Sequence, residues 1–139
     1  MKPHSKRREV TMYLLFGVIV TLANWITYSL LVVCTPASVT ISNFIAWVVA
    51  VVIAFLTNKF FVFENKGNSP KTFLLEALLF LGMRVATGIV EIFLPTLLIW
   101  LGLNQSLFEI DGFYAKLIVS IIVVVLNYIL SKLVVFSKK

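Results

Sequence analysis

Four long apolar runs alternate with short polar breaks along the chain. The first extends from Val10 to Cys34 without a charge and follows the basic residues Lys2, Lys6, Arg7 and Arg8. Thr35-Pro36-Ala37-Ser38 reads as a turn. The second run spans Val39 to Thr57 and stops at Asn58-Lys59; a hydrophilic loop with Gly67-Asn68-Ser69-Pro70 follows. The third run, Phe73 to Leu103, is interrupted by Glu76, Arg84, Glu91 and Pro95. After the loop from Asn104 to Gly112, the fourth run, Phe113 to Phe136, contains Lys116, Asn127 and Lys132. Each run is long enough for a bilayer span of about 20 residues. The pattern predicts an all-α integral membrane protein with helices at about 10–34, 39–58, 73–103 and 113–132, forming one transmembrane domain over 1–139. At 1.5 Å per residue the third run would reach roughly 46 Å. Its first turns are therefore expected in the membrane interface. The first run is too long for the apolar region of a secretory signal and has no A-x-A site after it, so it reads as a span.

Composition sharpens this reading. Hydrophobic residues make up 60% of the 139 positions, charged residues 13%, and mean hydropathy is +1.03. A soluble domain carries about 25% charged residues, so a soluble enzyme and a disordered chain are both excluded. The net charge of +6 could suggest nucleic acid. The basic residues, however, sit at the edges of apolar runs rather than among exposed aromatics, which favours anionic lipid headgroups or an anionic lipid substrate. Cys34 stands alone, so an internal disulfide and a multi-Cys metal site are not expected.

Ten of the twelve Lys and Arg residues fall in the N-terminal tail, the middle loop from Lys59 to Lys71 and the C-terminal segment from Lys132. Under the positive-inside rule both termini and the middle loop are expected in the cytoplasm. The ends of runs two and four also read alike: Asn58-Lys59-Phe60-Phe61-Val62-Phe63-Glu64 and Ser131-Lys132-Leu133-Val134-Val135-Phe136-Ser137. The helices are therefore expected as two pseudo-symmetric, parallel-repeat hairpins, related by an axis along the membrane normal. Aligning the two endings sets Asn43 against Lys116, and a weaker alignment of runs one and three sets Asn24 against Glu91.

The two remaining basic residues, Arg84 and Lys116, lie inside apolar runs. An ionised side chain at mid-bilayer costs about 2.5–3.5 kcal/mol on insertion scales, so Arg84 needs a polar cavity or a partner. Glu91, seven residues on, lies on the same helical face, and Lys116 and Asn127 form a second stripe eleven residues apart. Arg84 and Lys116 against Glu91 leave one positive charge in excess. A phosphodiester carries one negative charge, and the planar fork of Arg can hold two of its oxygens. The alternative is an internal Arg–Glu–Lys network that only locks helices together, although apolar replacements often stabilise as well.

Other positions admit simpler readings. Ala46, Ala50, Ala54 and Asn58 recur every four residues and suit close helix packing, with Asn58 at the cytoplasmic boundary able to donate to a headgroup. Gly82 and Gly88 thin the third helix, and Pro95 frees backbone groups near its outer side. Lys59 and Lys132 read as boundary anchors that snorkel, and Trp25, Trp47 and Trp100 as interfacial or core residues. His4 reads as a solvated tail residue, and Glu109 and Asp111 as a solvated turn. With no nucleotide loop, metal-ligand cluster or nucleophile–base pair in the pattern, neither an enzyme nor a cofactor is expected. Any transport would be downhill or gradient-driven.

The order of these features resembles the GtrA-like family. The resemblance rests on four spans with cytoplasmic tails, the paired N-K-x-x-V-F and S-K-x-x-V-F endings, an Arg in helix three, and a Lys then an Asn in helix four. It covers about Glu9 to Phe136; Phe60-Phe61 departs from the more basic, Trp-containing ending of many members. The resemblance implies flipping of an undecaprenyl-phosphate-linked sugar across the bacterial cytoplasmic membrane. A separate extracytoplasmic glycosyltransferase would then decorate cell-surface polysaccharide or teichoic acid. It also implies functional weight at Ala54, Asn58, Val62, Phe63, Phe80, Arg84, Lys116 and Asn127. In the expected mechanism Asn58 and Arg84 take the lipid phosphate from the cytoplasmic side, Lys116 and Asn127 meet it on the outward path, and Glu91 sets the position or charge of the basic residues. A homo-oligomer is expected from the small size. Two alternatives stay open: a non-transporting accessory subunit of a membrane glycosyltransferase, and a small multidrug-resistance-type exporter using Glu91 as its carboxylate.

Overall fold

The computed structural model describes residues 5–66, 69–105 and 113–137. The expectations for Lys2, His4, Gly67, Asn68, Glu109 and Asp111 lie outside the described residues. Among the described residues the chain is helical, without strands. Four α-helices are present: α1 (Lys6–Cys34), α2 (Val39–Thr57), α3 (Pro70–Trp100) and α4 (Phe113–Leu130). Two of them continue into short π-helices, π1 (Asn58–Val62) after α2 and π2 (Ser131–Val135) after α4. All four spans are long and apolar enough to cross a membrane. The chain divides into two compact units, one ending at Phe73 and the other running from Leu74 to Ser137.

The first unit is a helical hairpin. Ser5 starts α1 by accepting the Arg8 N–H at 3.3 Å, with Glu9 in the first turn where the helix dipole favours a negative charge. α1 ends at Thr35, whose N–H and hydroxyl both donate to the Leu31 carbonyl, at 3.1 and 2.6 Å. Pro36 cannot continue the helix. Ser38 then caps α2 by accepting the Ile41 N–H at 3.3 Å. The two helices pack along each other, and Phe16 of α1 meets Phe61 of π1 with ring centroids 5.3 Å apart. At the same end Arg8 pairs with Glu64.

The next helix, α3, starts in the first unit and continues through the second, and it begins earlier than its apolar run. Ser69 caps it by accepting the Thr72 N–H at 3.1 Å, and Pro70 occupies the first helical position, where a missing N–H costs nothing. The helix continues through Pro95 and stops at Trp100, where Gly102 turns to φ +108°. α3 meets α4 and π2 through Thr87 with Asn127, Met83 with Ser131, and Phe80 with Phe136. Most large apolar side chains outside these seams are exposed, Trp25 and Trp100 among them. Such a surface suits lipid rather than water.

Candidate lipid-phosphate site

The buried faces of α2 and α4 follow one rule. In the first unit one row of buried positions steps by four: Ser42, Ala46, Ala50, Ala54, Asn58 and Val62, with Phe55 and Lys59 buried beside it. In the second they are Ala115, Val119, Val123, Asn127, Ser131 and Val135. Four residues of α-helix turn about 40° past a full circle, so each stripe winds around its helix. A π turn takes more than four residues, so the same step there falls short of a full circle and turns the stripe back. The π-helices thus keep the last polar members, Asn58 and Ser131, and the valines that follow them on the buried face. Their signature is an N–H to C=O bond spanning five residues: Phe63 to Asn58 at 2.9 Å and Phe136 to Ser131 at 2.8 Å. The repeated sequence endings therefore share a repeated and rare backbone form.

In the first unit Asn58 is buried at the α-to-π junction, where its N–H is shared between the carbonyls of Ala54 and Phe55. Ala54 and Val62, one step before and after it, are buried, and Phe63, which closes π1, is half-buried. Lys59 differs from its expected role as a snorkelling anchor. It is 0% exposed, with Nζ 5.9 Å from the Phe60 ring centroid and 5.7 Å from that of Phe73. Lys59 lies four residues after buried Phe55, so it continues the buried side of α2 and packs against the rings. At the other end of the stripe the Ser42 hydroxyl is buried with no hydrogen-bond partner among the described residues.

In the second unit Arg84 is half-buried and lays its guanidinium over the fully buried Phe80 ring, Cζ 5.1 Å from the centroid. The Phe80 ring also meets Phe136, with centroids 6.2 Å apart. One turn beyond Arg84, the Thr87 hydroxyl donates to Asn127 Oδ1 at 2.9 Å, with the Arg84 carbonyl 3.3 Å away. Thr87 thus ties α3 to α4, and both Thr87 and Asn127 are buried. Lys116 in the first turn of α4 and Glu91 in the C-terminal part of α3 are exposed. The two stripes expected from sequence therefore split by environment, Arg84 and Asn127 being the more buried members and Glu91 and Lys116 the exposed ones. Lys132 keeps a partly exposed position, with Nζ 3.4 Å from the Tyr128 hydroxyl.

Sequence reasoning did not name Thr87, and it gave no role of their own to Glu76 or Ser131. Glu76, Phe80, Met83 and Thr87 are the buried residues of α3 and recur at three- and four-residue spacing. That spacing was visible, but the apolar residues around it on every side masked it. Ser131 and Val135 were recoverable by extending the four-residue stripe of α2 to the matching positions of α4.

Taken together, four apolar spans, a hairpin repeated down to its π turns, and polar side chains buried within the spans define a multi-pass, all-α membrane protein. The chain belongs to the GtrA/DPMS transmembrane domain family, whose model matches residues 12–136. It is 35% identical over 131 residues to the cell wall teichoic acid glycosylation protein GtcA of Listeria monocytogenes serovar 1/2a (strain ATCC BAA-679 / EGD-e), covering 94% of this chain and 86% of that protein. The GtcA of Listeria innocua serovar 6a (strain ATCC BAA-680 / CLIP 11262) is 36% identical over 130 residues, covering 93% and 85%. The uncharacterized membrane protein YwcD of Bacillus subtilis (strain 168) is 28% identical over 127 residues, covering 91% and 95%. No solved structure matches the chain significantly.

Proposed function

We propose that the protein flips a polyprenyl-phosphate-linked monosaccharide across the bacterial cytoplasmic membrane, for glycosylation of a cell-surface polymer on the far side. The observation that carries this reading is Arg84. A cation within an apolar span is costly, and here it sits half-buried on the face of Phe80, on the same helix as a buried Thr87 bonded to Asn127. An aromatic face attracts the guanidinium, and its planar fork has the shape to take two oxygens of a phosphodiester.

The headgroup is the difficult cargo, because its charge and its sugar hydroxyls both lose water on entering lipid. The prenyl chain needs no carrier and stays in the bilayer. We assign phosphate contacts to Asn58, Arg84, Lys116 and Asn127 at different stages of passage, supported by Ala54, Val62, Phe63 and Phe80, with Glu91 tuning the charge. Both termini lie in the cytoplasm in this reading, as the distribution of Lys and Arg requires. The protein carries its substrate without transforming it, and a separate glycosyltransferase consumes the delivered sugar. The teichoic acid glycosylation named for the Listeria relatives is the same kind of process.

The test uses purified protein in liposomes holding a fluorescent polyprenyl-phosphate glucose, with a membrane-impermeant quencher to count probe in the outer leaflet. Wild-type protein should equilibrate the probe between leaflets, and Arg84→Ala should stop it while inserting normally. Equal rates in the two proteins would overturn the reading.

A further inference from the structure

We infer that Thr87 is a positioning residue that aims the amide of Asn127 at the lipid phosphate, an inference that rests on the function proposed above. Asn127 is useful to an anion only through its Nδ2 hydrogens, because Oδ1 would repel a phosphate oxygen. A terminal amide is nearly symmetric in shape, and packing alone does not decide which end faces a ligand. A fixed donor on one side does. The Thr87 hydroxyl donates to Oδ1 at 2.9 Å, the shortest of its polar contacts; the carbonyls of Met83 and Arg84 lie at 3.1 and 3.3 Å.

A hydroxyl has one hydrogen. Given to Oδ1, it turns the amide so that Nδ2 is the end left to donate. Burial strengthens the choice, since both side chains are about 4% exposed and water has little access to compete. The backbone adds a second element. Thr87 sits one turn after Arg84, so the residue that orients the amide shares a helix with the guanidinium proposed to hold the same phosphate. In α2 the position matching Asn127 is Ala54, which has no amide to orient. The device therefore belongs to the second hairpin alone.

The experiment compares Thr87→Val, Thr87→Ser, Asn127→Ala and the Thr87→Val/Asn127→Ala double variant in the same liposomes. It reads the half-saturating probe concentration separately from the maximal rate, and the thermal midpoint in detergent as a check on folding. Thr87→Val keeps the shape and removes the donor, so the half-saturating concentration should rise about tenfold, the equivalent of one lost hydrogen bond. Thr87→Ser should restore the wild-type value, and Thr87→Val should add nothing once Asn127 is alanine. The assignment is overturned if Thr87→Val binds the probe like wild type, if its loss persists in full on the Asn127→Ala background, or if Thr87→Ser fails equally with a lowered thermal midpoint. In those cases wild-type transport still stands and only Thr87 loses its role. A wild-type protein that neither binds nor moves the probe overturns both.

Discussion

Phe63 gives its backbone N–H to the carbonyl of Asn58, five residues back rather than four, across 2.9 Å. Phe136 makes the same bond to Ser131 in the second hairpin. A π turn is uncommon and holds one residue more than the α turn it replaces. Its presence at both copies of the repeated ending makes it part of the working design. Inserting an alanine after exposed Phe61 adds a residue the π turn has no room for and should rotate every later side chain by about 100°, carrying Val62 and Phe63 off their positions. Surface glycosylation should then fall roughly tenfold or more. Phe61→Ala, which loses only the contact with Phe16, should change it by less than about twofold. Sugar content of the purified surface polymer, normalised to membrane-inserted protein, gives the comparison.

Glu64, just after the Phe63 that closes π1, has φ 47°, in the left-handed region, while the Asn65 N–H reaches back to the Lys59 carbonyl at 2.7 Å. A side chain there costs about 1–2 kcal/mol relative to glycine. Its carboxylate pairs with Arg8, but both partners are substantially solvated, which limits that pair to about 0.2–1 kcal/mol. Glu64→Gly and Glu64→Ala both lose the pair, and only the first loses the strain. Glu64→Gly should therefore be the more stable of the two by about 1 kcal/mol, read from thermal unfolding in detergent. Equal midpoints would mean that the backbone at this position is not left-handed.

Lys59 is wholly buried against Phe60 and Phe73, so its four-carbon stem fills core volume and its ammonium faces two rings. Truncation to alanine should leave a cavity and cost about 2–4 kcal/mol. Methionine fills most of that volume and removes the charge, and buried charges are often replaced without loss of stability. Lys59→Met should thus recover more than half of the stability lost in Lys59→Ala, measured by the same unfolding assay. A Met variant as weak as the Ala variant would show that the charge, not the volume, holds this end of the hairpin.

Spans, repeat and buried cation were legible because each rests on composition or on period. Apolar runs of bilayer length define helices, and the endings at Asn58 and Ser131 match residue for residue in kind. The Arg84 position was equally plain, since a charge in such a run needs an explanation wherever it faces. What escaped was set by packing. Lys59 falls at the end of an apolar run and reads as an anchor; packing against Phe60 and Phe73 places it inside. Thr87 escaped for another reason. A threonine in an apolar helix commonly bonds its own preceding turn, and only the approach of α4 reveals that Asn127 is the nearer acceptor. Lys116 and Glu91 show a third limit: helical spacing puts them in line with Asn127 and Arg84, and it does not report how deeply each is covered.

α3 ends where Gly102 takes φ +108°, with the Leu103 N–H returning to the Leu98 carbonyl at 2.9 Å and the Gly102 N–H to Ile99 at 3.1 Å. This left-handed closure explains why the helix stops at Trp100 although the apolar run continues to Leu103. A methyl group at Gly102 would meet nothing within 4 Å, so an alanine there is opposed by backbone strain alone. That strain, about 1–2 kcal/mol, is partly offset by the smaller freedom of the unfolded alanine chain, about 0.4–1 kcal/mol. Gly82, mid-helix in α3, is equally open, and its φ is helical. Alanine there carries no strain and should gain close to 1 kcal/mol of helix propensity. The same substitution should therefore lower the unfolding midpoint at position 102 and raise it at position 82. A shift of the same sign at both sites would mean that α3 does not end in a left-handed turn at Gly102.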